Sequence, residues 1–316
     1  MAVIVLDNRV PAIVIAIVSL RIPRSLVSAD MIKLDCRITY MNKLFFVPVG
    51  GLANRMRAVA SACTLARKVG IGVSVVWFKD WALNAPFNAL FQPIQWKEMA
   101  IREATFYDYW VFDRPRKKNF FVPRFFQRIL FDDSLYEKQI TPLCKQHFDF
   151  EAWAKKGEVY LASYTAFQKY DYALLRKLFV PRQDIQEKIT SYSQSFSDYS
   201  IGIHIRRTDN AASILQSPTD LFIAAIDREI EANPNVSIFL ATDSEIVKKE
   251  MLSRYGNRVL TAKDEADRNS IAGIKGGIID MFALSKTNKI YGSFQSSFSE
   301  LAAQIGNVPI EILQKD

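Results

Sequence analysis

Short apolar stretches alternate with amphipathic stretches in two separate parts of the chain, and this alternation constrains the fold more than any other feature. In the first part, Lys43–Val49 and Gly72–Phe78 are typical of buried strands, and Ala53–Lys68 between them has apolar residues spaced for one helical face. The glycine pair Gly50 and Gly51 predicts a turn between the first strand and the helix. Together the segments predict a β-α-β unit with parallel strands.

A second alternation begins at Ser200 and continues towards the C-terminus. Its predicted strands are Ser200–Arg206, Val236–Ala241, Lys289–Tyr291 and Pro309–Leu313. Its predicted helices are Thr219–Glu231, Ser244–Arg254, Gly277–Ser285 and Ser297–Ile305. Strands that alternate with helices of about ten residues indicate a parallel sheet covered on both faces. The stretch 81–156 is interrupted by prolines and predicts only short helices and loops.

These patterns predict an α/β protein with two Rossmann-like domains whose parallel sheets face a cleft. The 316 residues also exceed the size of about 250–300 residues at which single cores stop growing. We expect an N-terminal domain at 41–180 and a C-terminal domain at 181–316. Residues 1–40 are either a signal or anchor segment or an extension upstream of the true start. Their longest apolar run, Val10–Leu20, is shorter than the roughly 20 residues that span a bilayer.

The cysteines and histidines argue against several classes of site. Cys36, Cys63 and Cys144 match no disulfide framework and no Cys-x-x-Cys motif, which favours a reducing compartment such as the cytoplasm. His147 and His204 form no zinc motif. We therefore expect neither a metal nor another cofactor.

The positive charge of the chain is concentrated in one segment. The net charge is +8, and the segment 114–128 contains basic residues and no acid. Its basic and aromatic residues are Arg114, Arg116, Lys117, Lys118, Arg124, Arg128, Phe120, Phe121, Phe125 and Phe126. This composition suits an anionic membrane surface, a nucleic acid or another anionic ligand, and the alternative is a solvated basic loop whose phenylalanines pack inward. Because no RNA-binding or helix-turn-helix signature accompanies it, we expect peripheral membrane contact rather than nucleic acid.

The loops that follow predicted strands are where ligands of open α/β sheets bind. Gly50 and Gly51 precede a helix, and the N–H groups at a helix N-terminus attract anions. His204, Arg206 and Arg207 close an apolar strand. Two adjacent guanidiniums there either bind a ligand phosphate through their planar forks or pair with protein carboxylates.

Three carboxylates accompany these loops. Asp209 is the nearest protein partner for the arginines, and Asp243 ends a predicted strand. Asp280 interrupts an apolar helix, where an acid needs a hydrogen-bond donor. The N1–H and amine of guanine would supply two donors, and a backbone N–H would also serve.

Two serines precede the last predicted helix. Ser297 and Glu300 fit a capping box, so we expect a helix to start at this point. The hydroxyls of Ser296 and Ser297, with the free N–H groups of that helix, would form a second anion site. Helix capping alone is the alternative.

In this order, the motifs resemble the fucosyltransferase superfamily, which includes core alpha-1,6-fucosyltransferases, nodulation and alpha-1,2-fucosyltransferases, and protein O-fucosyltransferases. The most specific match is His204–Asp209, supported by Gly50–Asn54, Ala241–Asp243 and Ser296–Phe298. The resemblance implies a GT-B fold with the donor site mainly in the C-terminal domain. It also implies an inverting, metal-independent enzyme that moves fucose from GDP-fucose to a glycan, and no Asp-x-Asp metal motif occurs.

The resemblance also implies roles for individual residues. Arg206 would hold the donor β-phosphate, with Arg207 assisting it or bracing the loop, and His204 and Asp280 would contact guanine. The other implied donor-binding residues are Gly50, Gly51, Asn54, Asp243, Ser296 and Ser297.

The predicted catalytic residues are Arg206, which would stabilise the departing diphosphate, and Asp209, the carboxylate nearest to it. Relatives with this arginine motif often have a glutamate several residues later, and 211–216 contains none. The alternatives are a transferase of the same fold that uses another nucleotide sugar such as GDP-mannose, and a basic nucleic-acid- or membrane-binding protein without catalysis.

Overall fold

The strands of the described chain form two five-stranded sheets, and all the strand pairs are parallel. The structure is a computed structural model that describes residues 43–96, 98–119, 121–208, 210–262 and 269–315. The first sheet contains β1 (Lys43–Pro48), β2 (Gly72–Trp77), β3 (Met99–Glu103), β4 (Asp133–Leu135) and β5 (Val159–Ser163) in the order β3-β2-β1-β5-β4. The second contains β6 (Ser200–Ile205), β7 (Ser237–Thr242), β8 (Val259–Thr261), β9 (Lys289–Ser293) and β10 (Ile310–Leu313) in the order β10-β9-β6-β7-β8.

Helices connect these strands and cover the sheets. In the N-terminal half, residues 43–180, they are α1 (Leu52–Val69), α2 (Phe87–Leu90), α3 (Asp108–Val111), α4 (Val122–Leu130), α5 (Glu137–Lys145), α6 (Phe150–Ala154) and α7 (Tyr172–Leu178). In the C-terminal half, residues 181–315, they are α8 (Gln183–Gln194), α9 (Ala211–Gln216), α10 (Thr219–Ala232), α11 (Glu245–Tyr255), α12 (Ile271–Leu284) and α13 (Ser297–Gly306), with a 3-10 turn at Gly256–Arg258.

The predicted α/β class with parallel sheets is confirmed, and so is the β1-α1-β2 unit. Helix α1 ends at Gly70, whose φ of +74° is the left-handed conformation that glycine adopts readily. Basic side chains in its last turn complement the helix dipole. The strands on either side pair in parallel register, with Lys43 opposite Gly72.

Other element predictions need correction. The sequence predicts only short helices and loops in the stretch 81–156, whereas the structure also has strands β3 and β4 there. Helix α12 begins at Ile271 rather than at Gly277, because the Ser270 hydroxyl accepts the Gly273 N–H at 3.0 Å and caps an earlier turn. The predicted domain division near residue 180 stays a prediction.

The largest apolar cluster includes buried residues of both halves. It combines α1 and the inner residues of β1 with α12 and α13, and its members include Met56, Phe46, Ile278 and Leu301. Smaller clusters cover the other faces of the second and first sheets. Among the described helices, none combines the length and the apolar character that a bilayer span requires. Residues 1–40, with the predicted signal, anchor or extension, lie outside the described residues.

Candidate functional site

A cavity of about 420 Å³ lies at the carboxyl ends of the strands in the two sheets. The strand order reverses between β1 and β5 in the first sheet and between β6 and β9 in the second. Crevices at such switch points are where open α/β sheets bind ligands, and the volume is within the range of small-molecule sites. Residues from both halves line the cavity.

The loop after β1 presents the first turn of α1 to this cavity. Gly50 has a φ of +84°, a left-handed conformation that disfavours other residues, and Gly51 is the N-cap of α1. The Gly50 carbonyl accepts a hydrogen bond of 2.7 Å from the Arg55 Nε–H. Gly51 and the first helical residues, including Asn54, line the cavity. Within the described chain no side chain caps this helix N-terminus, so its first N–H groups can bind a ligand anion.

The first turn of α13 borders the same cavity. Its N-cap is Ser296, and Ser296 and Ser297 both line the cavity. The predicted capping box is wrong, because Glu300 instead accepts a hydrogen bond of 3.1 Å from the Arg57 Nη1–H. No described side chain caps this helix either.

Three other helices in the C-terminal half have a side chain that caps the N-terminus. Asn210, Ser244 and Ser270 each accept a backbone N–H from the first turn of the helix that they precede. The first turns of α1 and α13 have no such side-chain partner within the described part of the chain, as is also true of α8 and α10, but α1 and α13 are the ones that border the cavity. Two helix N-termini directed to one cavity favour an anionic ligand.

His204 is buried in the wall of the cavity and is 6% exposed. Its ring stacks on Phe298 with centroids 4.8 Å apart, and its Nδ1 lies 3.4 Å from the Ser296 Oγ. Burial, followed by the positive charge of Arg206, lowers the pKa of His204 to about 3. The imidazole is therefore neutral at physiological pH and can offer one donor and one acceptor.

Arg206 follows β6 and lines the cavity with its side chain half-buried. Its backbone N–H donates to the Ser293 Oγ at 3.1 Å, and the same hydroxyl donates to the His204 carbonyl at 3.1 Å. Ser293 is fully buried at the end of β9. This hydroxyl therefore joins the two strands at the switch point and fixes the backbone from which Arg206 projects.

Arg207 turns away from the cavity and braces the loop. Its guanidinium donates to the Arg206 carbonyl at 2.7 Å, the Ser217 carbonyl at 2.8 Å and the Thr219 hydroxyl at 3.0 Å. Asp243 lines the cavity and accepts the Arg207 backbone N–H at 2.7 Å. The carboxylate of Asp243 thus holds the loop in place as well as facing the site.

Asp280 lines the cavity from α12 and is 8% exposed. Gly273 and Gly277 line it from the same helix, at spacings of seven and three residues that place all three on one face. A Cβ added at Gly277 would meet nothing within 4 Å. The helix therefore leaves open space next to a carboxylate.

Sequence reasoning missed a group of buried charges below the glycine loop. Arg55 is fully buried and donates to the Phe78 carbonyl at 2.5 Å and to Asp80 Oδ1 at 2.8 Å. Arg114 lies 3.5 Å from the other Asp80 oxygen and 2.7 Å from Glu137. Burial lowers the pKa of Arg55 to about 10. The position of Asp80 shortly after β2 was the available sequence signal, since strand ends hold the functional residues of this fold.

Asp80 also shapes the cavity wall. It accepts the backbone N–H groups of Ala82 at 3.0 Å and Leu83 at 3.3 Å, and both residues line the cavity. The buried charges therefore support both the glycine loop and the loop after β2.

The predicted donor residues largely come together. The cavity is lined by Gly51, Asn54, His204, Arg206, Asp243, Asp280, Ser296 and Ser297. Gly50 and Arg207 lie behind this lining, and Asp209 lies outside the described residues. Which ligand each residue contacts stays a prediction. The described residues also hold no cluster of three or more metal-ligating side chains, and the predicted metal independence remains untested.

Comparisons with known proteins identify the fold. The sequence matches no protein-family model and no curated protein. The structure is similar to the NodZ alpha-1,6-fucosyltransferase soaked with GDP-fucose, with a TM-score of 0.57, 19% identity and coverage of 86% of this chain and 94% of that chain. NodZ was also solved from Bradyrhizobium.

Two further solved structures are similar over most of this chain. An arginine-to-lysine variant of Arabidopsis thaliana FUT1 in complex with GDP has a TM-score of 0.56, 14% identity and coverage of 86% of this chain and 70% of that chain. POFUT1 in complex with GDP-fucose has a TM-score of 0.54, 13% identity and coverage of 86% and 98%. The chain therefore has the fold of these fucosyltransferases, as the sequence resemblance predicts.

Proposed function

We propose that this chain is an inverting, metal-independent glycosyltransferase that moves fucose from GDP-fucose to a hydroxyl of a glycan. The observation that carries the proposal is the convergence of Arg206 and two helix N-termini on one cavity at the switch points of both sheets. The similar NodZ structure was soaked with GDP-fucose and the similar POFUT1 structure is a complex with GDP-fucose, which supports the same donor here.

The diphosphate of the donor would bind at the first turns of α1 and α13, next to Arg206. Displacement at the anomeric carbon increases the negative charge on the departing diphosphate. A guanidinium and oriented N–H groups already in place stabilise that charge more in the transition state than in the ground state. Arg206 would thus do the work that a metal ion does in other transferases.

The guanine would bind on the open face of α12. The carboxylate of Asp280 would accept the N1–H and the exocyclic amine, and the open space at Gly277 would leave room for the base. The neutral imidazole of His204, held against Phe298, would supply a further hydrogen bond without adding charge.

The acceptor hydroxyl would need a general base for inversion. Asp243 is a poor candidate, since its carboxylate accepts the backbone N–H of Arg207 and the hydroxyl of Thr208 at 2.7 Å. Asp209 therefore keeps the role of general base that the sequence predicts. The cytoplasmic location of the protein also stays a prediction.

Calorimetry against GDP, UDP and ADP, with and without EDTA, tests the donor class and the metal requirement together. We expect GDP alone to bind and EDTA to have no effect. Arg206→Ala should abolish GDP binding or weaken it by at least tenfold, and Arg206→Lys should recover little, because an ammonium lacks the planar fork. The exposed Arg228 provides the control, since Arg228→Ala should bind GDP normally.

Release of GDP from GDP-fucose and from GDP-mannose then tests the sugar. Turnover of GDP-mannose alone would replace fucose with mannose in the proposal. Tighter binding of UDP or ADP than of GDP, or full activity of Arg206→Ala, would refute the donor site.

A further inference from the structure

Helix α4 presents an apolar ridge to the solvent. Phe121, Phe125 and Ile129 follow one another at spacings of four residues and are 77%, 58% and 52% exposed. Spacing by four places them on one side of the helix. The alternative that these phenylalanines pack inward is therefore wrong for Phe121 and Phe125.

The orientation of α4 is fixed by its opposite face. Gln127 is fully buried, and its Nε2–H groups donate to the carbonyls of Val111 at 3.0 Å and Asp113 at 2.8 Å. Its Oε1 accepts the Tyr136 hydroxyl at 3.0 Å. Rotating the helix to bury the ridge would break all three hydrogen bonds, so the ridge is held outward.

Exposed aromatic side chains also occur at the neighbouring helix α3 and just before it. Phe106, Tyr107 and Trp110 are 71%, 53% and 48% exposed, and the Phe106 ring meets those of Tyr107 and Trp110. Contiguous exposed apolar groups mark interaction sites on soluble proteins, and the ring contacts make Phe106, Tyr107 and Trp110 one such group. Trp and Tyr in particular favour the boundary between apolar and aqueous phases.

The charge around the ridge is positive. Lys117, Lys118, Arg124 and Arg128 are exposed. Arg114 and Arg116, which the sequence assigned to the same basic surface, are instead engaged with Glu137 at 2.7 Å and with Asp113 at 2.5 Å. The nearby acid Asp133 pairs with Lys156 at 2.7 Å, and the exposed Asp132 accepts the Glu158 backbone N–H at 2.8 Å.

We propose that this aromatic-basic surface docks on an anionic lipid bilayer. Its members are Phe106, Tyr107, Trp110, Lys117, Lys118, Phe121, Arg124, Phe125, Arg128 and Ile129. The apolar ridge enters the boundary between headgroups and acyl chains, and the four cations contact anionic headgroups. A single-stranded nucleic acid fits less well, because its bases stack on aromatic side chains along a basic groove. The ridge instead lies on the exposed side of a helix and includes the aliphatic Ile129.

The surface is linked to the cavity through one loop. The Tyr109 hydroxyl on α3 donates to the Lys79 carbonyl at 3.3 Å, and Ala82 and Leu83 a few residues later line the cavity. The docking surface therefore contacts the loop that contributes to the cavity wall. The proposal does not depend on which nucleotide the cavity binds.

Vesicle sedimentation of the full chain tests the proposal. We expect binding to phosphatidylcholine vesicles that contain phosphatidylglycerol and little binding to phosphatidylcholine alone. Arg124→Gln with Arg128→Gln should lower the affinity for the anionic vesicles by about tenfold or more. Added salt should likewise lower the affinity of the parent for these vesicles. Phe125→Ser with Ile129→Ser should lower it by about tenfold at any salt concentration.

A matched pair on α11 provides the control. Ile246 is 81% exposed and Lys249 is exposed, so Ile246→Ser with Lys249→Gln removes the same kinds of group elsewhere and should leave vesicle binding unchanged. All variants should keep the thermal unfolding midpoint of the parent, because the altered side chains are exposed.

Brominated lipids locate the contact. They should quench tryptophan fluorescence in the parent, and Trp110→Phe should remove most of the quenching. Failure of the parent to bind anionic vesicles, or unchanged binding by the Phe125 and Ile129 variant, would overturn the proposal. If the parent bound an oligonucleotide but no vesicles, and the same variants lost the oligonucleotide binding, the surface would be assigned to nucleic acid instead.

Discussion

Replacing His204 with glutamine should make the folded protein less sensitive to acid. Burial and the charge of Arg206 lower the pKa of His204 to about 3, whereas histidine in an unfolded chain titrates near 6.5. Between these two values the unfolded chain binds a proton that the folded protein does not. The free energy of unfolding therefore falls as the pH falls from about 6.5 to about 3, and it is constant with respect to this group above and below that window.

The size of the effect follows from the two pKa values. Each pH unit within the window contributes at most about 1.4 kcal/mol, so acidification from neutral pH to about pH 4.5 should remove about 2–3 kcal/mol through His204 alone. Carboxylates add their own pH dependence. The difference between the parent and His204→Gln cancels it, because the carboxylates are common to both proteins.

Urea unfolding at a series of pH values between about 4 and 8 provides the measurement. The chain has one other histidine, His147, and it is exposed, so His147→Gln is the matched control and should follow the parent. A constant offset between His204→Gln and the parent at all pH values would mean that the imidazole is not held neutral by folding, and it would refute the reasoning. If the glutamine variant does not fold, His204→Asn provides the same comparison.

Four further substitutions separate stability from binding. Asp280→Asn should weaken GDP binding by tenfold or more in calorimetry while changing the unfolding midpoint little, since an amide offers guanine one acceptor in place of two; a lower midpoint with unchanged affinity would make Asp280 structural. Asp80→Asn removes the partner of two buried guanidiniums and should reduce the unfolding free energy by about 3–5 kcal/mol in urea, and a loss below about 1 kcal/mol would contradict the ion-pair assignment. Gly50→Ala should reduce the unfolding free energy by about 1–2 kcal/mol, because Gly50 has a positive φ. Gly51→Ala should leave the unfolding free energy unchanged and weaken GDP binding. Equal losses of unfolding free energy in the two variants would refute this distinction.

Elements with strong periodicity were predictable from the sequence. Helix α1 and strands β1, β2 and β6 have enough apolar residues in register to identify them. Strand β5 has only five residues, and all of them are buried, so it shows no alternation that would distinguish a strand from other apolar segments. Strand β3 is almost entirely half-buried, at the sheet edge, and its pattern is similarly weak.

The candidate site was predictable where residue type and strand ends coincide. His204 lies near the end of β6 and Arg206 follows the strand, and the parallel topology brings both to Ser296 after β9. The sequence left open whether Arg207 assists Arg206 or braces the loop, because the answer depends on the carbonyl groups that the folded loop presents. The same holds for Glu300, whose pairing with Arg57 requires a helix from the other half.

The shared apolar cluster has a consequence for motion. Helices α12 and α13, which form one wall of the cavity, pack in the same core as α1, which forms the opposite wall. Spreading the two walls apart would expose apolar surface to water, so opening as two rigid lobes is energetically unfavourable. Ligand exchange would then proceed through rearrangement of individual loops and side chains, and the hydrophobic effect would keep the N-termini of α1 and α13 at the cavity aligned.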